Sequence, residues 1–297
     1  MSLDWAREIS EFRTQLGVLK DRIETLEREC LSGENLLLRR LKGRGLRIHR
    51  QNSTENLLIP TNLPSEWVLR FYEMMKRYSF RLFLRDLIQT GDPFRSEELT
   101  RYCSSRVAED YTRFLISTGT VVEEDNQYRL NRPGVSSFGP TLEWFVAQMF
   151  HREFASPAIY DLRFVETGVG GDYDVIALWE CCLVYVEVKS SPPRGIELKQ
   201  VTAFFSRIED LIPDVTILFN DTQLRMKDKL VLLFEEELER RHGKAFKTSS
   251  PVTRLVGELF HVQNRIFIVN SRKDVVENFS ICLKHYLRHG ERKPRRT

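Results

Sequence analysis

Two acidic side chains and one lysine stand on two short apolar segments near the middle of the chain. Asp174 lies near the start of the β-rich segment 173–179, while Glu187 and Lys189 end the segment 183–189. Side chains alternate between the two faces of a strand, so Glu187 and Lys189 are expected to point the same way. If the two strands pair antiparallel, Asp174 lies near them. Two carboxylates and an ammonium together are the groups that metal-dependent phosphodiester hydrolysis requires.

A shared cation would resolve the repulsion between these carboxylates, which otherwise raises the pKa of one of them. Mg²⁺ prefers oxygen ligands and keeps several waters, and Mn²⁺ is its expected substitute. The expected ligands are Asp174, Glu187 and the carbonyl of Val188, while Lys189 would orient the attacking water or offset charge on the phosphate. The ordinary alternative is an edge-strand ion pair between Glu187 and Lys189, with Asp174 simply beginning a strand.

The same residues resemble the motif of the PD-(D/E)XK nuclease superfamily, whose fold is called restriction-endonuclease-like. Asp174 is followed by Glu187-Val188-Lys189, and the Holliday-junction-resolvase and Mrr-like branch is the most similar. Tyr173 stands where the motif has its proline. The resemblance covers roughly residues 136–297 and implies a Mg²⁺-dependent endonuclease.

Two further site residues follow from this resemblance. Glu143, on a predicted helix, matches an extra acidic metal ligand, with a solvated helix face as its alternative. Gln200, on the helix after the Glu-x-Lys strand, matches a glutamine near the site. Asp172 is the rival for the role of Asp174, but its glycine neighbours favour a loop, and Lys199 is expected at the surface.

Composition narrows the cellular setting more than the activity. The chain has 297 residues, 41% of them hydrophobic, and a net charge of +3. Basic clusters at 39–50 and 288–296 either contact nucleic-acid phosphates or are solvated. Five cysteines without metal-ligand spacing indicate a reducing compartment, and neither a membrane span nor a signal peptide is recognised. A cytoplasmic or nucleoid-associated protein is expected.

The N-terminal segment has the pattern of a coiled coil. Apolar residues at spacings of three and four run through residues 5–30, which predicts a coiled-coil helix over 1–32. Charges flanking the seam favour a parallel homodimer, and an amphipathic helix docked on its own protein is the alternative. Residues 33–63 are interpreted as a basic linker.

Residues 64–135 are predicted to be a winged-helix-like domain. Helices at 67–76, 79–89 and 104–118 precede a hairpin at 121–130. The hairpin tip is acidic at Glu123 and Glu124, which disfavours contact with phosphates, so nucleic-acid binding and protein–protein packing both remain open.

Residues 136–297 are predicted to form an α/β (α+β) domain with a mixed sheet and flanking helices. The predicted helices are 141–153, 196–211, 222–241 and 273–288, and the strands are 159–167, 173–179, 183–189, 215–219, 252–261 and 264–270.

The sequence therefore predicts a metal-dependent endonuclease with DNA as the expected substrate. The first alternative is a non-catalytic nucleic-acid-binding or scaffolding protein with a nuclease-like fold, although the intact Asp174, Glu187 and Lys189 argue against degeneration. The second is a transcription regulator, which leaves the C-terminal half unexplained.

Overall fold

The computed structural model describes residues 12–22, 33–125, 127–132, 134–165 and 167–290. Residues 12–22 form helix α1, with exposed side chains throughout. Most of the predicted coiled coil over 5–30 lies outside the described residues, so the homodimer stays a prediction.

The chain divides into two compact units, Met1–Arg47 and Ile48–Thr297. The first contains α1 and helix α2 (Gly33–Gly43), and the second begins with strand β1 (Ile48–Arg50). The segment interpreted as a basic linker therefore contains a helix and a strand.

A mixed β-sheet dominates the second unit. Among the described residues it has eight strands, in the order β1-β4-β5-β6-β7-β10-β9-β8. They are β1, β4 (Ala158–Phe164), β5 (Asp172–Trp179), β6 (Cys182–Lys189), β7 (Val215–Asn220), β8 (Thr253–Val256), β9 (Leu259–Val262) and β10 (Ile266–Asn270). Strands β6, β7 and β10 run parallel, whereas the remaining neighbours are antiparallel. The prediction of an α/β fold with a mixed sheet is confirmed.

Strand β6 lies inside the sheet, with β5 on one side and β7 on the other. Its run of β-branched and aromatic residues suits a strand that is buried on both faces. Glu187 and Lys189 therefore do not belong to an edge strand, and that part of the ordinary alternative is wrong.

Helices cover both faces of the sheet. They are α3 (Ser65–Lys76), α4 (Tyr78–Thr90), α5 (Ser105–Ser117), α6 (Gly139–Glu153), α7 (Leu198–Leu211), α8 (Leu232–His242), α9 (Lys244–Ser249) and α10 (Val275–His289). Helix α6 contacts β4, β5 and β6. On α7, Phe204 stacks on Tyr185 of β6 with ring centroids 6.1 Å apart.

A separate hairpin, β2 (Val121–Glu124) and β3 (Gln127–Leu130), follows α5. Helices α3 to α5 share the hydrophobic core of the sheet rather than having one of their own. Phe71 of α3, for example, packs edge-on against Trp144 of α6 at 6.1 Å. One continuous core therefore runs across the expected boundary at 135/136.

Two predicted elements differ from the structure. The predicted strand 252–261 is two strands, β8 and β9, because Gly257 adopts a positive φ of 55° and turns the chain. The predicted helix 222–241 begins only at Lys227, with a π-helical turn that leads into α8. Buried Glu258 accepts a hydrogen bond from the amide of Met226 at 2.7 Å, which fixes that start against the β8–β9 turn.

Within the described part of the chain, no helix combines the length and the apolar character that a membrane crossing requires.

Candidate active site

The pairing of β5 with β6 brings the predicted acidic residues together. Val175 lies opposite Val186 in an antiparallel register, so the next step along both strands brings Asp174 beside Glu187. The amide of Val188 donates a hydrogen bond to Oδ2 of Asp174 at 2.6 Å. Asp174 is thus fixed by the backbone of the strand that carries Glu187.

Glu187 is buried, with 1% of its surface exposed, and accepts hydrogen bonds from three side chains. Lys189 Nζ donates to Oε1 at 2.6 Å, and Arg207 Nη1 lies 3.2 Å from each carboxylate oxygen. The hydroxyl of Tyr185 donates to Oε2. Burial of a carboxylate without partners is unfavourable, so these three donors offset the cost of placing Glu187 inside the sheet.

Glu143 and Gln200 approach the same place from two helices. Glu143 lies on the second turn of α6, and Gln200 lies on the first turn of α7. Oε1 of Gln200 accepts a hydrogen bond from the amide of Glu197 at 2.9 Å, so the side chain also caps α7. The structure therefore gives Gln200 a helix-capping role in addition to its position at the site.

A cavity of about 530 Å³ unites these residues. Of the described residues, six carboxylates and four cations line it, and we call it the acidic cavity. The carboxylates are Glu55, Glu143, Asp161, Asp172, Asp174 and Glu187, and the cations are Arg50, Lys189, Lys199 and Arg207. Because carboxylates outnumber cations, the cavity suits a further cation.

Asp172 and Asp161 join the cavity from β5 and β4. Asp172 is the first residue of β5 rather than a loop residue, and Arg50 (3.2 Å) and Arg163 (3.1 Å) pair with it. Asp161 pairs with Arg50 at 2.6 Å. Asp174, in contrast, has the backbone of β6 as its donor, which distinguishes it from its rival.

Sequence reasoning missed Arg207, Asp161 and Arg50. Arg207 follows Gln200 by seven residues, two turns along α7, so a search of that helix face would have found it. Asp161 was visible as a lone acid within the apolar segment 158–164. Arg50 was noted only as part of the basic cluster 39–50, because its place in the cavity depends on the pairing of β1 with β4.

Three of the cavity carboxylates, Asp174, Glu143 and Asp161, have raised pKa values, with burial as the largest cause in each. Burial, followed by the charge of Glu187, raises the pKa of Asp174 to about 7. Burial and the charges of Asp174 and Asp161 raise the pKa of Glu143 well above its ordinary value. Burial opposes the charged form of Lys189, but Glu187 and Asp174 outweigh it, so its pKa is raised and the ammonium stays protonated.

These donors fit a Mg²⁺ or Mn²⁺ ion only in part. Among the described residues, no group of three or more His, Cys, Asp or Glu side chains is arranged to hold a metal. Lys189 and Arg207 already pair with Glu187, which accounts for this. Mg²⁺ needs fewer protein ligands, since it commonly binds one or two carboxylates and keeps several waters.

Asp174 and Glu143 are therefore the residues best suited to hold a cation. Their raised pKa values show that the ionised form of each carboxylate is disfavoured, and a bound divalent cation would favour it. Glu187 could join once its pairs with Lys189 and Arg207 loosen. The sequence also suggests the carbonyl of Val188 as a ligand, and the amide of that residue faces Asp174.

Comparison with known proteins adds little to this description. No protein-family model matches the sequence, and no curated protein matches it. One solved structure is similar, the crystal structure of protein VC1899 from Vibrio cholerae, with 14% sequence identity and a TM-score of 0.40. The match covers 56% of this chain and 50% of that chain, so this chain spans only half the length of that protein. A likeness of this degree assigns neither a family nor an activity.

Proposed function

We propose that this chain is a metal-dependent nuclease that hydrolyses phosphodiester bonds, with DNA as its substrate. The observation that carries the proposal is the convergence of Asp174, Glu187 and Lys189 on adjacent central strands, in one cavity with Glu143. A carboxylate-rich cavity that also contains a fixed ammonium suits a cation and a phosphate together.

Each residue has a role that its surroundings support. Asp174 and Glu143, with Glu187, would hold Mg²⁺ or Mn²⁺, which supplies a Lewis acid and a bound water of lowered pKa. Lys189 would offset the negative charge that develops on the phosphate, because its raised pKa keeps it cationic rather than basic. Arg207, with 15% of its side chain exposed, is a second cation for the phosphate.

The surrounding fold agrees with this function. A mixed sheet whose central strands carry the site is what the restriction-endonuclease-like resemblance implies. The order of α3, α4, α5 and the β2–β3 hairpin supports a winged-helix-like segment that either contacts nucleic acid or packs against protein. We further propose that the protein works as a homodimer through residues 5–30, in the cytoplasm or on the nucleoid.

One observation favours a second candidate, a non-catalytic nucleic-acid-binding or scaffolding protein with a nuclease-like fold. Both oxygens of Glu187 already have partners, Lys189 and Tyr185, and Arg207 lies close to each of them. A buried, fully paired carboxylate of this kind can serve the fold alone.

Calorimetric titration with Mn²⁺ and with Mg²⁺ separates the two candidates. The nuclease proposal expects the wild type to bind the ion and Asp174→Asn to lose most of that binding, because the main oxygen donor loses its charge. Asp228→Asn is the matched control, since Asp228 is 64% exposed and lies outside the acidic cavity. A wild type that binds neither ion would contradict the nuclease proposal and favour the scaffold.

A further inference from the structure

A second cavity of about 500 Å³ opens at the carboxyl ends of the parallel strands β6 and β7. Ser190 and Ser191 follow β6, and Asp221 and Thr222 follow β7. Ser136 and Ser137 also line it, so we call it the serine-lined cavity. The carboxyl ends of parallel strands are where open α/β sheets bind their ligands.

Its lining lacks the excess of carboxylates found in the acidic cavity, because Arg85 and Asp221 are its charged residues among those described. Asp221 is completely buried, and Arg81 pairs with it through Nη2 at 2.9 Å. Arg85 also pairs with Asp221, and its Nη2 donates to the Asp221 carbonyl at 3.0 Å. Arg81 is buried and does not line the cavity, but it adds a second guanidinium to the same carboxylate, and the Arg85 side chain keeps 15% of its surface exposed. This cavity therefore suits an anion.

Aromatic rings stand beside that charge. The Arg85 guanidinium lies over the Phe138 ring at 5.2 Å from its centroid. Tyr102 is 42% exposed although it is a large aromatic, and the Arg101 guanidinium lies 5.2 Å from its ring centroid. An exposed ring next to an arginine is a platform on which a nucleobase can stack.

The linings of the two cavities adjoin along the chain, although no described residue lines both. Lys189 lines the acidic cavity, and the next two residues, Ser190 and Ser191, line the second. Phe138 lines the second cavity, and Pro140, two residues later, lines the first. A flexible strand with a phosphate at Lys189 would bring an adjoining nucleotide to the serine-lined cavity.

We propose that the serine-lined cavity binds one unpaired nucleotide beside the cleaved phosphodiester. Arg85 and the serine hydroxyls bind its phosphate, and Tyr102 stacks on its base. A cavity of this size holds a single base but not a duplex, so the substrate must present an unpaired or extruded nucleotide at the site. This inference rests on the proposed nuclease function and names the class of its substrate.

Binding of a fluorescein-labelled oligothymidylate, a dozen nucleotides long, tests it by fluorescence anisotropy in EDTA, where no cleavage occurs. Tyr102→Ala should weaken binding roughly fivefold to one-hundredfold, the range of a lost base–aromatic stack. Tyr102→Trp, which keeps a stacking ring, should bind within about threefold of the wild type by the same reasoning. A labelled duplex of equal length should bind more weakly than the single strand.

Leu69→Ala is the matched control, because Leu69 is also 42% exposed and lies outside both cavities. Its affinity should equal that of the wild type. If the wild type cleaves DNA but Tyr102→Ala binds with unchanged affinity, the nucleotide site is overturned and the nuclease proposal stays intact. Equal affinity for duplex and single strand would have the same consequence. A wild type that neither binds nor cleaves nucleic acid would overturn both.

Discussion

The ammonium of Lys189 lies 2.6 Å from Oε1 of Glu187, two residues earlier on the same central strand. The amide of the intervening Val188 donates to Asp174 at 2.6 Å. Three consecutive residues thus fix both carboxylates and the cation through one stretch of backbone. Their relative positions depend on the β5–β6 register rather than on flexible loops, as the proposed hydrolytic site would require.

Removal of Glu187 should destabilise the protein much more than removal of Lys189. Glu187→Ala removes the buried carboxylate that pairs with Lys189 and Arg207, a change that typically lowers the free energy of unfolding by about 3–5 kcal/mol. Lys189→Ala leaves Glu187 with Arg207 and Tyr185, so a loss of roughly 1 kcal/mol is expected. Urea unfolding in EDTA measures both.

Lys199→Ala is the control for this comparison, because Lys199 lines the same cavity but is 79% exposed. Its unfolding midpoint should match that of the wild type. An equal loss for Glu187→Ala and Lys189→Ala would show that Glu187 is not the centre of the network.

The stability of the metal-free protein should depend on pH through Asp174. Its pKa is raised from 3.8 to about 7, so the folded state holds a proton that the unfolded state releases. The contribution to stability is therefore present below about pH 4 and is lost as the pH rises through about 7. Asp174→Asn keeps the acceptor for Val188 but removes this ionisation, so it should be more stable than the wild type at neutral pH, by on the order of 2 kcal/mol.

Urea unfolding at intervals between about pH 5 and pH 8 measures this difference. Saturating Mn²⁺ should shrink it, because a cation bound to ionised Asp174 stabilises only the wild type. A difference between the two proteins that stays constant with pH would contradict the raised pKa.

Arg207→Ala should have opposite effects on the two ligands. Arg207 lies 3.2 Å from both oxygens of Glu187, so its loss frees an anionic donor and should strengthen Mn²⁺ binding in calorimetry. If Arg207 binds a phosphate, its loss should weaken oligonucleotide binding. The slope of log affinity against log salt concentration should also become shallower by about one. Arg194→Ala, an exposed arginine outside the acidic cavity, is the control. If the affinities for Mn²⁺ and for the oligonucleotide change in the same direction, Arg207 serves only the stability of the fold.

The sequence predicted the features of the site that depend on neighbouring residues, but not those that depend on contacts between residues far apart in the chain. The β-branched residues around Val175 and Val186 predicted two strands, and their alternation predicted the shared face of Glu187 and Lys189. Arg50 reaches the cavity only because β1 pairs with β4, a contact more than 100 residues apart that no local pattern encodes. The contact between Phe71 and Trp144 could not be predicted for the same reason. The sequence of each helix shows that it has an apolar face, but not which element packs against that face.

Substitutions in the heptad repeat of the predicted coiled coil test the homodimer. Phe12, Leu16 and Leu19 occupy seam positions and are exposed on α1. Leu16→Glu with Leu19→Glu, or deletion of residues 1–31, should lower the mass in light scattering from dimer to monomer, because charge at the seam opposes association. Thr14→Glu is the control, since Thr14 lies on the outer face of the heptad. An unchanged mass would reject the coiled coil as the dimer contact.

We propose that Asp174, Glu187 and Lys189 form a hydrolytic site. Nicking of supercoiled plasmid in the presence of Mg²⁺ tests this most directly. Lys189→Ala is the informative variant, because it should fold while it lacks the cation at the phosphate. We expect nicking by the wild type and by Lys199→Ala, a loss of nicking in EDTA, and at least a roughly hundredfold slower rate for Lys189→Ala. Equal nicking by wild type and Lys189→Ala, or none by the wild type with either Mg²⁺ or Mn²⁺, would contradict it.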